Sequence, residues 1–367
     1  MVDLDALTAA GIKNAHERRA LLEYLDGLGF TLEEMVAAEK HGRLFALSGD
    51  GALKSGKAVH SLRTAAQAIS RPLEDVQHAW AALGLTVADV DQIALSEADV
   101  EGLRTWSDLS GFVGEVTALG VLRVLGASMA RFAEAVSSAI RGGVPAIQLN
   151  YTEDELATAK AYAGVTGFIP RVSHLIDVVH RQHLESARMY FEDVLRDTSP
   201  TVHAGVGFVD LSGFTSLTQL MTPEELSALL SEFSSTVSDV VHSDGGRVIK
   251  FIGDAVMWVS PTATQLATVA ADLVGHSKAR DAGLQVRAGL AFGPMLALDG
   301  DYYGNPVNLA ARLVAAAEPG EILLSGDVHA ELPDSATVAT EPLTLRGFDQ
   351  PVQAYVLRKQ PIGGTTF

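Results

Sequence analysis

A two-residue turn between two apolar runs constrains the fold of the C-terminal half most strongly. The runs 247–252 and 255–260 are rich in β-branched and aromatic residues, and only Gly253-Asp254 separates them. Glycine and aspartate between two such runs are typical of a tight β-hairpin. This hairpin places the carboxylate of Asp254 at one end of a β-sheet.

The segments around the hairpin alternate between strand and helix patterns. The patterns predict, in order, a strand at 206–211, a helix from 223, the two hairpin strands, a helix at about 264–280 and a strand at 285–292. Thr222 as N-cap, Pro223 at the first helical position and Glu225 three residues after the cap mark the start of the first helix. The order βαββαβ predicts an α+β domain of the ferredoxin-like type.

The first half of the chain has a different pattern. From Asp5 to about Arg196, apolar residues recur at three- and four-residue spacing, which predicts helices almost throughout. Pro170 and Pro200 bound a long helix that connects the two halves. The predicted domains are an all-α domain at 1–170, a linker helix at 171–200 and the ferredoxin-like domain at 201–367.

Composition excludes several classes of protein. The 367 residues are 47% hydrophobic, and the formal charge of -18 argues against binding to nucleic acid or an anionic membrane. The absence of cysteine excludes disulfides and thiolate chemistry. Apolar runs such as Val206–Val209 fall far short of the roughly 18 to 20 residues of a membrane span, and no signal peptide opens the chain. We therefore expect a cytoplasmic protein with no transmembrane segment.

Two aspartates are candidates for metal chemistry. Asp210 ends the apolar strand in the segment 207–215, and Asp254 lies in the hairpin turn, so both can lie at one edge of the sheet. Carboxylates beside a glycine-containing loop are suited to a divalent metal and phosphate. Each residue alone is more often a strand-end cap or an ordinary turn residue.

A third motif, Asp301 to Arg312, adds an amide and a guanidinium. Asn308 and Arg312 are four residues apart and therefore share one face of a helix, which we predict to be capped by Asn305 and to begin at Pro306. With the two aspartates, these groups indicate nucleotide chemistry.

The three motifs FVDLSGFT, KFIGDAVMW and YYGNPVNLAARL, in this order, resemble those of the class III nucleotidyl cyclase catalytic domain. The resemblance covers about residues 203–358. The helical first half resembles the regulatory region that is joined to this domain in acid-responsive adenylyl cyclases of mycobacteria. The resemblance implies an adenylyl cyclase, a lyase that converts ATP to 3′,5′-cyclic AMP and pyrophosphate.

The resemblance also implies roles for individual residues. Asp210 and Asp254 would bind two divalent ions, Mg²⁺ or Mn²⁺, and the carbonyl of Leu211 would be a further ligand. Lys250 and Asp301 would read adenine, because guanylyl members typically carry Glu and a small polar residue there. The stretch before Asp301 is unusually short, which leaves Asp299 as an alternative for that position.

Further residues would contact the rest of the substrate. The loop that contains Gly213, Phe214 and Thr215 would bind phosphate. Asn308 and Arg312 would stabilise the ribose and the charge that develops at the α-phosphate, and Arg346 would meet the terminal phosphates. For Arg346, a surface charge at a strand end is an almost equal alternative.

The family forms its active sites between two catalytic domains. Because this chain carries both sets of residues, the resemblance implies a homodimer with two equivalent interfacial sites and an N-terminal domain that autoinhibits. His180, His183 and His203 crowd the junction between the halves and could sense mild acid. The alternatives are solvated surface histidines without a regulatory role.

Three other functions stay open. The chain could be a guanylyl cyclase or a nucleotide-binding regulator without turnover, and two segments typical of helix-turn-helix units leave a transcription factor as a third possibility. Lys250 and Asp301 disfavour the first, and the full set of aspartates with Asn308 and Arg312 disfavours the second. The acidic charge disfavours the third.

Overall fold

The computed structural model describes residues 3–148, 154–190, 201–214, 218–276 and 285–358, without the side chains of 187–190. The chain divides into two compact units, Met1–Ser186 and Ala187–Phe367.

In its described part, the first unit is built from helices. They are α1 (Leu4–Ala9), α2 (Arg19–Gly27), α3 (Leu32–Lys40), α4 (Leu47–Leu53), α5 (Leu62–Ala68), α6 (Leu73–Ala82), α7 (Glu97–Val113), α8 (Glu115–Gly143), α9 (Glu155–Thr166) and α10 (Ile169–Tyr190). The all-α prediction for this half is confirmed.

Two apolar cores hold the helical unit together. The first core includes Leu22 and Leu25 of α2 and Ala159 of α9, and the second includes Leu103 and Trp106 of α7. Helical periodicity brings these side chains to the inner face of each helix, as the sequence pattern predicted.

An ion-paired arginine ties distant segments of the helical unit together. Arg18 lies directly before α2, and its guanidinium contacts Glu39 at 2.9 Å and Glu155 at 2.6 Å. All three side chains are largely shielded from solvent. Because water cannot fully solvate these charges, each needs an oppositely charged partner within the protein. Arg18 thereby links the start of α2 to α3 and α9.

The longest described helix, α8, passes a simple test for a membrane span. Its length and apolar composition are sufficient to cross a membrane. Core helices of soluble proteins often meet the same two criteria. Ala118 and Leu122 of α8 lie in the second core, and a Cβ added at Gly126 would meet the backbone of Leu83 at 2.4 Å. These contacts show that part of the helix packs within its own unit.

The connecting helix α10 begins at Ile169, two residues earlier than predicted. Pro170 therefore lies inside its first turn, where proline costs no helical hydrogen bond. Residues 191–200, predicted to continue the helix, lie outside the described residues.

The second unit alternates strands and helices. Its elements are β1 (Thr201–Ser212), α11 (Pro223–Ser243), β2 (Arg247–Ile252), β3 (Ala255–Ser260), α12 (Ala263–Gly275), β4 (Gln285–Leu298), β5 (Asp301–Tyr303), α13 (Asn305–Ala316), β6 (Ile322–Leu324), α14 (Gly326–Ala330), β7 (Thr337–Ala339) and β8 (Tyr355–Leu357). The sheet order is β2-β3-β1-β4-β6-β8-β7, and β5 pairs with β4. The first four strands pair antiparallel, which confirms the ferredoxin-like prediction.

The two central strands are longer than predicted. β1 and β4 pair from Thr201↔Leu296 to Ser212↔Gln285, beyond the apolar runs that marked them in the sequence. Cross-strand hydrogen bonds extend a strand through residues whose composition alone would not define it.

Each face of the sheet has its own core. Val209 and Leu211 of β1 pack on the same side as α11 and α12, which we call the α12 face. Val206 and Phe208 pack on the opposite side with α13, which we call the α13 face. β1 is thus buried on both sides, as expected for the centre of the sheet.

Helix α11 begins as the sequence predicted. The Thr222 side chain accepts from the Glu225 amide, the Glu225 carboxylate accepts from the Thr222 amide, and Pro223 opens the helix. Helix α13 differs, because Gly304 is its N-cap, no side chain caps it, and Asn305 is already helical. The prediction of Asn305 as a cap was wrong, since Gly304, with φ of 140°, makes the turn into the helix.

The backbone of α13 lies directly on β4 at Gly289. A Cβ at this position would lie 2.2 Å from the amide nitrogen of Val314 and 2.4 Å from the carbonyl oxygen of Ala310. Backbone atoms of a packed helix cannot move aside as a flexible side chain can. Glycine at 289 therefore sets the distance between β4 and α13, which carries Asn308 and Arg312.

We predict that Gly289→Ala destabilises the protein by about 2 kcal/mol, because α13 must shift away from the sheet. Chemical denaturation measures the change. Gly326→Ala is the matched control, since a Cβ there meets no described atom within 4 Å and should alter stability by less than about 0.5 kcal/mol. Equal stability of the two variants would contradict the role of this close approach.

Candidate active site

Asp210 and Asp254 come together because their strands are neighbours. Asp210 pairs with Ala255, the residue that follows Asp254 in the hairpin between β2 and β3. Gly253, with φ of 63°, makes the turn. Burial raises the pKa of Asp254, the nearby charge of Asp210 raises it further, and a backbone hydrogen bond and Arg287 oppose the rise.

Sequence reasoning missed Arg287, which lies opposite Asp210 on β4. Its Nη2 donates to Oδ2 of Asp210 at 2.7 Å, and its Nε donates to the same oxygen at 3.0 Å. Its Nη1 donates to the carbonyl oxygens of Ala315 and Ala317 at 3.4 and 3.3 Å. Arg287 therefore joins the carboxylate pair to the C-terminal end of α13. In the sequence, the one feature that could have indicated Arg287 is that it is a charged residue inside the apolar run 286–291.

The carboxylate pair suits a hard divalent cation. Two carboxylates with repelling charges are brought to adjacent positions, and both are half-buried. A cation would relieve this repulsion, and carboxylate oxygens are the ligands that Mg²⁺ and Mn²⁺ prefer. The side chain of Leu211 is buried in the core, so only its carbonyl could serve as a further ligand. The described residues contain no group of three or more acidic or histidine ligands.

The loop after β1 begins with Gly213, whose φ of 83° favours glycine. Phe214 is half-buried and packs against the core of the α12 face, which fixes the start of the loop. Ser212 Oγ is buried without a hydrogen-bond partner among the described residues. Thr215, the third predicted phosphate contact, lies outside the described residues.

Lys250 and Asp301 form an ion pair, although 51 positions separate them in the chain. The second carboxylate oxygen of Asp301 accepts from the amide of Tyr302 at 2.8 Å, so both oxygens are held. Asp299 has a φ of 52° and precedes Gly300 in the turn between β4 and β5. Of the two candidate aspartates, the structure brings Asp301 to Lys250.

A β-bulge in β2 sets the direction of Lys250. Val248 pairs with Trp258, but Lys250 pairs with the next residue, Met257, so one residue of β2 is extra. Trp258 packs in the core of the α12 face and Met257 in the core of the α13 face. Side chains two apart on a regular strand share a face, so the bulge moves Lys250 to the face opposite Val248. Asp301 meets it there.

Asn308 and Arg312 are exposed on one side of α13, at the predicted four-residue spacing. Arg312 Nε donates to the carbonyl oxygen of Arg346 at 3.1 Å. The backbone at 346 therefore orients Arg312, and the side chain of Arg346 is exposed beside it. The structure thus brings Arg346 to the catalytic candidates of α13.

The three histidines lie in different units. His180 and His183 are exposed on α10 in the first unit. His203 is an exposed residue of β1 in the second unit, and its ring meets Phe292 edge to face with centroids 5.1 Å apart. A hydrogen bond from Arg181 is the main cause that lowers the pKa of Asp177, and His180 contributes to the same shift.

Two groups of candidate residues lie at opposite ends of α13, and Asn308 and Arg312 lie along the helix between them. Asp210, Asp254 and Arg287 lie by its C-terminal end, where Arg287 contacts Ala315 and Ala317. Asp301 lies on β5, which directly precedes α13, and holds Lys250 there. One end of the helix thus has two neighbouring carboxylates, and the other has an ammonium paired with a carboxylate.

Two family models match the chain. The adenylate and guanylate cyclase catalytic domain matches residues 197–359. The adenylate cyclase regulatory domain matches residues 4–187. Together the matches span nearly all of both units.

Relatives match along most of the chain. An uncharacterized protein of Mycobacterium tuberculosis strain H37Rv is 58% identical over 360 residues, 98% of this chain and 95% of its own. An adenylate cyclase of Streptomyces coelicolor is 31% identical and covers 78% of this chain and 75% of its own. A pH-sensitive adenylate cyclase of M. tuberculosis strain CDC 1551 is 27% identical and covers 94% and 88%. The chain belongs to the class III adenylate and guanylate cyclase family, with an adenylate cyclase regulatory domain joined to its catalytic domain.

Proposed function

We propose that the chain is an adenylate cyclase, which converts ATP to 3′,5′-cyclic AMP and pyrophosphate. The observation that carries this choice of base is the ion pair of Lys250 with Asp301. An ammonium donates to N1 of adenine and a carboxylate accepts from its amino group, whereas guanine presents a carbonyl and an N–H at these positions. The name of the Streptomyces relative supports the same choice.

The reaction is an in-line substitution at the α-phosphorus. The ribose 3′-oxygen forms a bond to this phosphorus and loses its proton, and the bond from phosphorus to the β-phosphate oxygen breaks to release pyrophosphate. No protein nucleophile is needed, so the side chains bind, orient and neutralise charge. The exposed polar groups on α13 and the carboxylates at its end are suited to these roles.

Asp210 and Asp254, with the Leu211 carbonyl, would hold two Mg²⁺ or Mn²⁺ ions. When bound, such ions make the 3′-hydroxyl more acidic and neutralise the triphosphate. Arg287 lies against Asp210 and adds a fixed positive charge at this position. It limits the excess negative charge of the carboxylates before substrate arrives.

The remaining residues act on phosphate and ribose. The amides at Gly213, Phe214 and Thr215 bind phosphate, as backbone N–H groups do after a glycine turn. Arg312, oriented by the carbonyl of Arg346, stabilises the charge that develops at the α-phosphate, and Asn308 positions the ribose. The Arg346 side chain meets the terminal phosphates.

Turnover by the purified chain with Mn²⁺ tests the proposal. ATP should give cyclic AMP and pyrophosphate, and Asp254→Ala should lower the rate by roughly a hundredfold or more because a metal ligand is lost. Asp327→Ala, an exposed aspartate on α14, is the matched control and should keep wild-type activity. Preferred turnover of GTP would identify a guanylate cyclase, and no cyclic product from either nucleotide would identify a regulator without turnover.

We propose further that the active enzyme is a homodimer. Each site would take Asp210 and Asp254 from one protomer and Lys250, Asp301, Asn308 and Arg312 from the other. The Lys250–Asp301 pair and the two carboxylates lie at opposite ends of α13, which supports this arrangement because a two-fold axis can bring one end of each helix to the opposite end of its partner. Asn308 and Arg312 are assigned to the second protomer by the family resemblance. Two equivalent sites result.

Complementation between variants tests the shared site. Asp254→Ala and Arg312→Ala should each be inactive alone, but co-expression should restore about a quarter of wild-type activity, since half the dimers then contain one intact site. Co-expression of Asp254→Ala with Asp210→Ala is the control, because both changes fall in the same group and every site stays damaged. Equal activity of the two mixtures would contradict an active site that is shared between protomers.

We also propose that the first unit inhibits the second and that acid relieves the inhibition. Protonation of His180, His183 and His203 adds positive charge to α10 and to the start of β1. The name of the pH-sensitive relative, which matches along both units, supports regulation by pH.

The pH profile of the full chain tests this regulation. Activity should rise severalfold from neutral pH to mild acid, and replacing all three histidines with alanine should remove the rise. His242→Ala, an exposed histidine on α11, should retain it. Saturating Mn²⁺ is required, because the raised pKa of Asp254 means that protons compete with metal there as the pH falls. An unchanged profile in the triple variant would exclude these histidines as the sensor.

A further inference from the structure

A second pair lies beside the Lys250–Asp301 pair. Arg247 Nη2 donates to the phenol oxygen of Tyr302 at 2.5 Å, and the guanidinium carbon lies 5.8 Å from the centre of the Tyr302 ring. Arg247 is three residues before Lys250 on β2, and Tyr302 directly follows Asp301 on β5. Two neighbouring residues of β5 thus each hold a residue of β2.

The same bulge that directs Lys250 gives both pairs a common face. Arg247 pairs with Val259 and Lys250 with Met257, and both partners pack in the core of the α13 face. Residues three apart on a regular strand point to opposite faces, so the extra residue is required for Arg247 and Lys250 to point the same way. Tyr302 belongs to this core too, which places β5 over the same face.

Burial of Tyr302 strengthens its hydrogen bond with Arg247. Tyr302 is 3% exposed, and burial raises the pKa of its phenol, with Arg247 opposing the rise. The phenol is therefore neutral at physiological pH, and its oxygen accepts from a charged donor. Such bonds are stronger than those between neutral groups, and leaving a buried partner unpaired is costly.

Tyr302 also holds Asp301 directly through its backbone. Its amide donates to Oδ1 of Asp301 at 2.8 Å, while Oδ2 accepts from Lys250. The phenol of Tyr302 anchors the residue to β2, and its amide orients the carboxylate. A shift of Tyr302 would therefore move Asp301 relative to Lys250.

We propose that Arg247 and Tyr302 are positioning residues that set the separation of the Lys250 ammonium and the Asp301 carboxylate, and so determine the preference for adenine. The inference rests on the proposed function of Lys250 and Asp301 as the groups that bind the base. A purine edge presents its two polar groups at a fixed spacing, and recognition requires the protein groups to match it within about 0.5 Å. Arg247 and Tyr302 supply this match without contacting the base.

Tyr302→Phe tests the proposal by removing one oxygen atom. The ratio of the GTP inhibition constant to the KM for ATP should fall roughly five- to tenfold, because a bond to a charged donor is lost. The kcat with saturating ATP and Mn²⁺ should stay within about twofold, since the metal ligands and Arg312 are untouched. Tyr355→Phe, the same change on β8, is the matched control and should alter neither value.

Variants of Arg247 test the other partner and do not alter the buried ring. Arg247→Met should lower the selectivity ratio as Tyr302→Phe does, and combining the two should cost little more than either alone, because both remove one interaction. Arg247→Lys keeps a donor and should retain most of the selectivity. Thermal unfolding of each variant shows that it is folded, and the half-buried position of Arg247 on the edge strand makes that substitution tolerable.

Variants of Lys250 and Asp301 distinguish a failure of the positioning role from a failure of the proposed base assignment. Lys250→Ala and Asp301→Ala should abolish the preference for ATP, and Asp299→Ala should keep it. If they do so while Tyr302→Phe and Arg247→Met keep wild-type selectivity, the positioning role is refuted and the proposed function stands. A loss of kcat at unchanged selectivity would likewise refute it. If Lys250→Ala and Asp301→Ala leave selectivity unchanged, the proposed base assignment fails, and the positioning role fails with it.

Discussion

The antiparallel pairing of β1 with both of its neighbours is the constraint on which the catalytic unit depends. The register places Asp210 between Ala255 of β3 and Arg287 of β4. Because side chains alternate along a strand, a slip of one residue would turn Asp210 to the other face and separate it from Arg287. Burial of β1 on both faces fixes the register, since every position from Val206 to Val209 must fit one of the two cores.

The carboxylate pair shows how a fold can keep like charges together. The sheet brings Asp210 and Asp254 to neighbouring positions, and the pKa of Asp254 is raised first by burial and further by the charge of Asp210. Arg287 offsets part of this repulsion through its bonds to Asp210. The unit thus retains a partly compensated negative site within a chain that is acidic overall.

Local signals in the sequence were enough for the hairpin, for the first four strands and for the start of the helix at Pro223. Gly253-Asp254 specified a hairpin, and Thr222 with Glu225 specified the start of a helix, because both depend on residues close in the chain. Arg287 was missed because its importance comes from Asp210 on β1, 77 positions away, and its local signal, one charge inside an apolar run, does not reveal that partner. The bulge in β2 was missed for a similar reason, since the register of pairing defines it. The cap of α13 was misassigned because the preceding glycine adopts a conformation that the sequence pattern does not encode.

The register of β4 also determines where mechanical force would enter the catalytic unit. Leu296 pairs with Thr201 on one side and with Tyr303 on the other. Thr201 is the first residue of β1, where the chain arrives from the connecting segment, and Tyr303 ends the strand that carries Asp301. A pull on the connecting segment therefore reaches β5 across a single residue of β4. The strand that carries Asp301 thus lies one residue of β4 away from the point where the chain enters this unit, whereas Asp210 lies toward the opposite end of β1.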